Sequence, residues 1–166
     1  MKIRAFFLSF FLAVSTMAGS ALAATYYVSP SGKDTNAGTL SAPWKTIQNG
    51  VNLMASGDTL QIRGGTYSEL VLIKKPRVTI KNHPGETVVI DGREQIPTST
   101  WGALISIKAT DVTLQGLHLF RSKARGVDIA PGAHRAKCSN LKASYCWRQG
   151  FSIAAPSAFP TDVILE

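Results

Sequence analysis

The sequence predicts an all-β solenoid, in which short strands and turns repeat along the chain and stack on one another. Residues 126–129 (GVDI) return as residues 150–153 (GFSI), and residues 112–114 return as residues 136–138, so both pairs share an offset of 24 residues. Two matches at one offset indicate a repeat, and periods of about 20–50 residues are typical of solenoids, propellers or arrays. The repeat contains no amphipathic helix, which leaves a β-solenoid.

Residues 1–23 have the three parts of a secretory signal. A basic start is followed by an apolar run over residues 5–14 and by the sequence ALA at residues 21–23, the pattern that precedes cleavage. A membrane anchor is the alternative, but the apolar run is well short of the roughly 20 residues that span a bilayer. We therefore expect a secreted or periplasmic protein that begins at Ala24 and has no membrane attachment after cleavage.

Residues 24–57 are predicted to form a strand, a loop and a helix. The strand is Thr25–Val28, which is rich in aromatic and β-branched residues. The loop, residues 29–40, contains the sequence DTNAG, which resembles the start of a calcium-binding loop but lacks the later acidic ligand. We interpret it as local turns in which Asp and Asn side chains bond nearby backbone groups.

The helix is predicted over residues 41–56. Ser41 suits the N-cap, Pro43 the first turn, and Gly57 a left-handed residue that ends the helix. A stack of strands has an open apolar end, so we expect this helix to cap that end, and packing on a side of the stack is the alternative. Four apolar residues recur on one face of the helix: Trp44, Ile47, Val51 and Met54.

Residues 58–166 are predicted to be the coils of the solenoid. Residues 91–102 interrupt them as an inserted loop, and residues 161–166 predict a further strand. A stack that stops at a strand would leave an uncapped edge, so we expect the chain to be the incomplete N-terminal part of a longer protein. The first four predicted strands are each rich in Val, Ile or Leu. The predicted strands are 60–63, 70–73, 78–80, 88–90, 104–107, 112–114, 117–119, 127–129, 136–138, 141 and 151–153.

Positive charge is concentrated in the later coils. The whole sequence has a net charge of +8, and removing the signal with its two basic residues leaves +6. Residues 121–148 carry all of that excess, because they hold seven basic residues and one acid, Asp128. Such a cluster favours an anionic partner, and a solvated basic surface that aids solubility is the alternative. The seven are Arg121, Lys123, Arg125, Arg135, Lys137, Lys142 and Arg148.

Cys138 and Cys146 are the two cysteines of the sequence. In an exported protein such a pair can form a disulfide. However, Cys138 takes the place of Leu114 one repeat earlier, an inward position where cysteine serves as a small apolar residue. Both interpretations remain open from the sequence.

The first coils resemble a known group of proteins. The sequence YYVSPSGKDTNAGTLSAPWKTIQNGV, followed by ASGDTLQIRGGTYSE, is similar to the start of pectate-lyase-like proteins, in particular the family 9 polysaccharide lyases. The resemblance implies a right-handed parallel β-helix with an N-terminal capping α-helix. It is specific for the fold and much less so for the chemistry, because one fold supports many functions.

The resemblance implies β-elimination on a uronate-containing polysaccharide such as pectate. In that family a lysine removes the proton next to the uronate carboxyl group and an aspartate cluster binds calcium, both on later coils. This sequence contains no adjacent acids and no D-x-D pattern, and Asp91 with Glu94 is the nearest pair. We therefore expect the catalytic residues and any calcium site beyond Glu166, with no cofactor site in this chain and no lyase activity from these residues alone.

A substrate-binding strip is the candidate site within this chain. The 24-residue offset places Lys123 beside Trp147, and residue 124 beside Arg148. Arginine binds carboxylates through its fork of donors, and aromatic rings pack on sugar faces. The alternative is that these turn residues are merely solvated. The candidate residues are Arg121, Lys123, Arg125, Tyr145, Trp147 and Arg148.

The remaining motifs are weak. His118 alternates with apolar residues, so we expect it to point outward without a partner, and the three histidines lack a metal-ligand spacing.

The main hypothesis is a polysaccharide lyase-like protein with an acidic polysaccharide as its partner, in monomeric form. The alternative is a non-catalytic glycan-binding β-helix. Nucleic-acid binding rests on the basic composition alone, and the secretory signal argues against it.

Overall fold

The computed structural model describes residues 22–94, 96 and 102–153, together with the backbone of residues 164–165. The described residues form one helix, α1 (Ile47–Leu53), and a series of short strands. The strands are β1 (Thr25–Val28), β2 (Thr59–Ile62), β3 (Gly65–Tyr67), β4 (Val71–Ile73), β5 (Thr79–Asn82), β6 (Val88–Asp91), β7 (Ala103–Ile107), β8 (Thr113–Gln115), β9 (Leu117–Phe120), β10 (Arg125–Ile129), β11 (Lys137–Ser139), β12 (Lys142–Ser144), β13 (Phe151–Ile153) and β14 (Ile164–Leu165).

The strands form three parallel sheets, and each complete coil contributes one strand to each sheet. Sheet A has the order β1-β2-β5-β8-β11-β14, sheet B the order β3-β6-β9-β12, and sheet C the order β4-β7-β10-β13. This arrangement confirms the predicted parallel β-helix. It also confirms the 24-residue repeat, since Val127 pairs with Phe151 and Thr113 with Lys137.

The repeat is regular only in the last two complete coils. Paired residues of β2 and β5 are 20 positions apart, as in Thr59 and Thr79, whereas Val71 of β4 pairs with Ile105 of β7. The difference arises from the segment between β6 and β7, where the inserted loop was predicted. Most of that loop lies outside the described residues. The register of the strands is therefore conserved from coil to coil while the connections vary in length.

The core is a set of apolar columns inside the coils. In sheet A, Leu60, Ile80, Leu114 and Cys138 occupy one inward column and are all buried. Because neighbouring strands lie about 4.8 Å apart, each side chain packs on the equivalent residue of the next coil. Full burial of one such aliphatic side chain contributes about 1.5–3 kcal/mol. The inward position predicted for Cys138 is confirmed.

Left-handed residues turn the chain at the corner that leads into sheet A. Arg77, Asp111 and Arg135 have φ values of 55°, 58° and 54°. This conformation costs roughly 1–2 kcal/mol for a residue other than glycine. Backbone bonds between coils offset that cost, because the Arg77 N–H donates to Thr110 and the Asp111 N–H to His134. The first coil has a glycine at the equivalent position, Gly57 with φ 100°, and its N–H donates to the Arg77 carbonyl oxygen. In the later coils stacking holds residues other than glycine in the left-handed conformation.

Helix α1 is shorter than predicted, and its start was placed wrongly. Thr46 is the N-cap in place of Ser41, and its hydroxyl accepts from the Asn49 N–H at 3.3 Å. The preceding residues are held outside the helix because Trp44 forms a parallel bridge with Val28. The helix ends at an extended C-cap, Met54, so Gly57 does not terminate it. All four apolar residues predicted for one face are nevertheless buried.

The helix covers the N-terminal end of the stack, as predicted, and packs against β1, β2 and β4. Two remote carboxylates hold the N-cap and the first residues of the helix. Asp34 accepts from the N–H groups of Lys45 and Thr46, and Glu69 accepts from those of Ile47 and Gln48, all at 2.9 Å. A local turn does form around Asp34, since the Asn36 N–H donates to the Lys33 carbonyl oxygen at 3.0 Å. The predicted role of the Asp34 side chain is wrong, because its carboxylate binds backbone groups 11 and 12 residues away. The described helix is too short to cross a membrane.

Gln48 closes the open edge of sheet C. The Leu72 backbone in β4 points away from β7, and its N–H donates to Gln48 Oε1 at 2.6 Å. Gln48 Nε2 lies 3.4 Å from the Leu72 carbonyl oxygen and 2.8 Å from Asn52 Oδ1. The side-chain amide thus substitutes for a neighbouring strand at an edge whose unpaired backbone groups could otherwise pair with another chain.

Replacing Gln48 by alanine tests this edge contact. We expect Gln48→Ala to lower the free energy of unfolding by about 1–2 kcal/mol, because the Leu72 N–H loses its acceptor in a partly buried place. Urea denaturation measures the change. Asn52→Ala is the control, since it removes only the group that orients the amide. An equal loss in both variants would contradict the role assigned to Gln48.

Candidate binding surface

The candidate residues lie at the corner between sheets B and C. In the third complete coil residues 121–124 connect β9 to β10, and in the fourth residues 145–150 connect β12 to β13. The two turns stack through the backbone: Trp147 N–H donates to Ser122 C=O and Arg148 N–H to Ala124 C=O, both at 3.1 Å. The juxtaposition predicted from the 24-residue offset is confirmed. We call residues 121–124 and 145–150 the BC corner.

A buried serine fixes the shape of the first turn. Ser122 is fully buried, and its hydroxyl donates to the Arg125 carbonyl oxygen at 2.6 Å and accepts from the Ala124 N–H at 3.2 Å. The Lys123 N–H donates to the Ile96 carbonyl oxygen at 3.1 Å, which ties the same turn to the preceding coil. Sequence reasoning missed Ser122, because serine is common in solvated turns and nothing in the local pattern marks this one as buried.

Arg121 is engaged by a carboxylate of the preceding coil. Its Nε lies 3.0 Å from Asp91 Oδ1, and its terminal nitrogen forms an ion pair with the other oxygen. Asp91 also accepts from the Arg93 N–H at 2.8 Å and is 7% exposed. Hydrogen bonding from Arg121 holds the pKa of Asp91 below its usual 3.8. Arg121 therefore stabilises the fold by pairing with Asp91. Its guanidinium carbon also lies 5.1 Å from the centre of the Phe120 ring.

Arg125 and Arg148 differ in accessibility. Arg125 is largely buried and pairs with Asp128 three residues later, at 3.2 Å. Its guanidinium thus has a carboxylate partner within its own coil, which makes Arg125 a less suitable ligand for a polysaccharide carboxylate than the sequence suggested. Arg148 is exposed on the second turn. Of the two, only Arg148 presents its side chain to solvent.

Two exposed aromatic side chains and a lysine form the accessible part of the BC corner. Tyr145 is 75% exposed and Trp147 is 66% exposed, which is unusual for residues of this size. The ring of Tyr145 meets the ring of Phe120 edge to face, with centres 5.4 Å apart. Lys123 is partly exposed, and none of the described carboxylates lies within ion-pair distance of it.

His118 has a partner, contrary to the prediction. Its Nε2 lies 3.1 Å from the hydroxyl oxygen of Ser144, and its ring lies 5.5 Å from the Phe120 ring. Burial, and then the nearby charge of Lys142, lower the pKa of His118 below its usual 6.5. The side chain is outward, as expected, but it belongs to the aromatic cluster beside the BC corner.

Seven of the eight described carboxylates are already committed to the fold, and the eighth, Glu94, is exposed. Asp34, Asp58 and Glu69 accept from backbone N–H groups, and four others bind arginines. Among the described residues no three His, Cys, Asp or Glu side chains are grouped in a way that could hold a metal ion. Calcium takes six to eight oxygen ligands, so these engaged carboxylates do not fit it. The four arginine partners are Glu86, Asp91, Asp111 and Asp128.

The two cysteines are free thiols in the structure. Cys138 is buried in the inward column of sheet A, whereas Cys146 lies in the second turn of the BC corner. Burial raises the pKa of the Cys138 thiol to about 11, which keeps it protonated at neutral pH. The Cys146 sulfur contacts the Ser144 carbonyl oxygen at 3.8 Å. The disulfide alternative is therefore not formed here.

The profile of a protein family described as "Pel9A-like, right handed beta helix region" matches residues 26–164. The chain belongs to this Pel9A-like family. The match covers every complete coil of the stack, including the BC corner. It confirms the resemblance drawn from residues 26–69 and the right-handed parallel β-helix that the resemblance implied.

Two curated relatives match parts of the chain. Pectate lyase PEL9 of Emericella nidulans is 41% identical over 80 residues, which are 44% of this chain and 20% of that protein. Uncharacterized protein YwoF of Bacillus subtilis is 37% identical over 115 residues, 62% of this chain and 24% of that protein. The chain thus spans about a fifth to a quarter of these relatives.

A solved rhamnogalacturonan lyase shares the fold. Its TM-score is 0.55 at 16% identity, over 70% of this chain and 36% of that protein. At this identity the similarity concerns the course of the backbone alone. Together with the three sheets, it supports a lyase-like β-helix architecture for the chain.

The Asp91–Arg121 pair predicts a pH-dependent stability. We expect Asp91→Asn to lower the free energy of unfolding by about 2 kcal/mol at pH 7, because the Arg121 guanidinium loses its buried anion. Since the pKa of Asp91 is lowered in the folded protein, its contribution is present above about pH 3.8 and is lost as the pH falls further. The difference between wild type and variant should therefore shrink below pH 3.8, as measured by urea denaturation.

Asp111→Asn is the matched control for this experiment. Asp111 forms the same kind of two-point pair with Arg135, but both side chains are more exposed. Solvent screens such a pair, so we expect a smaller loss of stability. A difference at Asp91 that stayed constant from pH 7 to well below pH 3.8 would contradict the prediction.

Proposed function

We propose that this chain is part of an exported polysaccharide lyase-like protein that acts by β-elimination on a uronate polymer such as pectate. Within it, the BC corner binds the acidic polysaccharide. The observation that carries the proposal is the exposure of Tyr145 and Trp147 beside Lys123 and Arg148, on the surface of a Pel9A-like β-helix. The name of the Emericella relative, a pectate lyase, supports the substrate class.

The chemistry of the corner suits a chain of acidic sugars. The apolar face of a sugar ring packs on an exposed aromatic ring, and the carboxylate that each uronate ring carries is attracted by ammonium and guanidinium groups. Lys123 and Trp147 come from successive coils, which lie about 4.8 Å apart. A polymer lying along the stack therefore meets a basic side chain on one coil and an aromatic ring on the next. The excess positive charge of residues 121–148 adds long-range attraction for the polyanion.

β-Elimination requires groups that we assign to other parts of the protein. A base removes the proton next to the uronate carboxyl group, the glycosidic oxygen leaves, and a double bond forms in the sugar. All the described carboxylates except the exposed Glu94 are engaged in the fold, and one carboxylate does not make a calcium site. We therefore propose that the base and any calcium ion are held outside the described residues. The contribution of the BC corner is to bind and orient the substrate.

A second candidate is a β-helix that binds glycans without cleaving them. It is favoured by one observation, that the described residues bring together no group of three potential metal ligands. Both candidates require a polysaccharide at the BC corner. They differ in turnover, because only a lyase releases unsaturated sugar products from polygalacturonate.

Substitution of Trp147 tests the binding surface. We expect Trp147→Ala to weaken binding to oligogalacturonate about tenfold, because an exposed aromatic anchor is removed while the fold is untouched. Calorimetric titration with oligogalacturonate, and with a neutral galactan for comparison, measures the affinity. Lys123→Ala should weaken binding to the acidic polymer only, and should reduce its dependence on salt.

Lys108→Ala is the matched control for Lys123→Ala. Lys108 is exposed after β7, on the opposite end of a sheet C strand from the BC corner. Its replacement removes the same charge from the protein without touching the proposed surface. Equal weakening by Lys108→Ala and Lys123→Ala would show general charge attraction and would overturn the assignment of the corner.

A further inference from the structure

Asp58 is a buried carboxylate at the point where the first strand, the end of the helix and β2 meet. It is 4% exposed. Its Oδ1 accepts from the Ala24 N–H at 2.8 Å and its Oδ2 from the Ala55 N–H at 2.6 Å. No lysine, arginine or histidine among the described residues forms an ion pair with it. Buried carboxylates are seldom left without a positive partner, so the site lacks a counter-charge.

Ala24 is the first residue that the fold holds. Its carbonyl oxygen accepts from the Thr59 N–H at 2.8 Å, and β1 begins at the next residue. Immediately before it, Ala23 is exposed and the Leu22 side chain is 93% exposed. The predicted cleavage point after residues 21–23 therefore coincides with the boundary at which the chain joins the stack.

We propose that proteolytic removal of residues 1–23 creates an α-ammonium group at Ala24 that forms a partly buried ion pair with Asp58. Hydrolysis of the Ala23–Ala24 peptide bond adds water, which leaves a carboxylate on Ala23 and an amine on Ala24 that is protonated at neutral pH. The nitrogen that now donates as a peptide N–H is the same atom that becomes the ammonium. The ion pair therefore needs no movement of the chain.

The ion pair would tie processing to the stability of the cap. An α-amino group has an ordinary pKa of about 8, so it is charged at pH 7. A charge-assisted hydrogen bond is roughly twice as strong as a neutral one. The pair anchors β1, the outermost strand of sheet A, to the residues that follow the helix. This inference does not depend on the polysaccharide proposed for the BC corner.

The first test is the position of cleavage. The full chain, expressed with its own leader in a secreting host, is collected from the exported fraction. Its intact mass and its N-terminal sequence are then determined. We expect a mature protein that begins at Ala24. A product that begins at another residue, or an uncleaved chain, would overturn the proposal.

The second test separates the charge from the hydrogen bond. Acetylation of the mature N-terminus preserves the N–H donor to Asp58 and removes the positive charge. We expect acetylation to lower the folded-to-unfolded ratio about fivefold at pH 7, because the bond reverts to the neutral kind. In Asp58→Asn the same acetylation should have little effect. Urea denaturation of the four species measures the ratios.

A one-residue extension keeps the test decisive if Asp58→Asn does not fold. A chain that begins at Ala23 retains a free ammonium group but moves it one residue away from Asp58. We expect this chain to be as stable as the acetylated protein, and its terminal amine to react faster with acylating reagents at pH 7 than that of the Ala24 protein. If the Ala23 and Ala24 proteins are equally stable and equally reactive, the ion pair does not form.

Discussion

Hydrogen bonding between successive coils is the constraint on which the rest of this structure depends. In a parallel stack, the position of a strand in one coil fixes which residue lies above it in the next. The connections are free to differ in length, and they do so between β6 and β7. The corners have no such freedom where their backbone also bonds across coils, as at Ser122 and Trp147. The alignment of equivalent residues in successive coils therefore extends from the sheets to the BC corner, where it fixes the positions from which the exposed side chains project.

Acidic residues bind the groups that pairing between coils leaves without partners, at the N-terminal end of the stack and at its corners. Asp34 binds the backbone just before the helix, and Glu69 binds the first turn of the helix. Asp58 holds the start of the first strand, and Asp91 binds an arginine of the next coil. Each supplies an acceptor where regular pairing between coils leaves backbone donors or cations unmatched. Acids used in this way are poor metal ligands, since their oxygens are occupied. Apart from the exposed Glu94, the accessible functional groups of the BC corner and its surroundings are consequently cationic and aromatic.

Much of the fold could be predicted from two features of the sequence. The alternation of apolar and polar residues along a strand is local, and the pairing of strands in successive coils follows from a periodic repeat. The 24-residue offset between the last complete coils is enough by itself to place Lys123 beside Trp147. β3 was missed because it is three residues long and starts with a glycine that signals a turn. The helix start was misplaced because Trp44 bridges to Val28, a tertiary contact that overrides a favourable capping sequence. The partners of the candidate site were harder still, since Asp91 reaches Arg121 across an insertion that breaks the repeat.

The rigidity of the BC corner bears on what it can bind. Ser122 fixes the first turn from inside, and backbone bonds fix the second turn upon it. Side chains held on a rigid support lose less conformational freedom when they meet a partner, so more of the contact energy remains as affinity. A flexible polymer makes repeated weak contacts. It therefore binds most tightly to a surface whose side chains are already held at the spacing of the sugar units. Exposed aromatic rings on such a support, which would otherwise be unfavourable in water, are what a polysaccharide-binding surface requires.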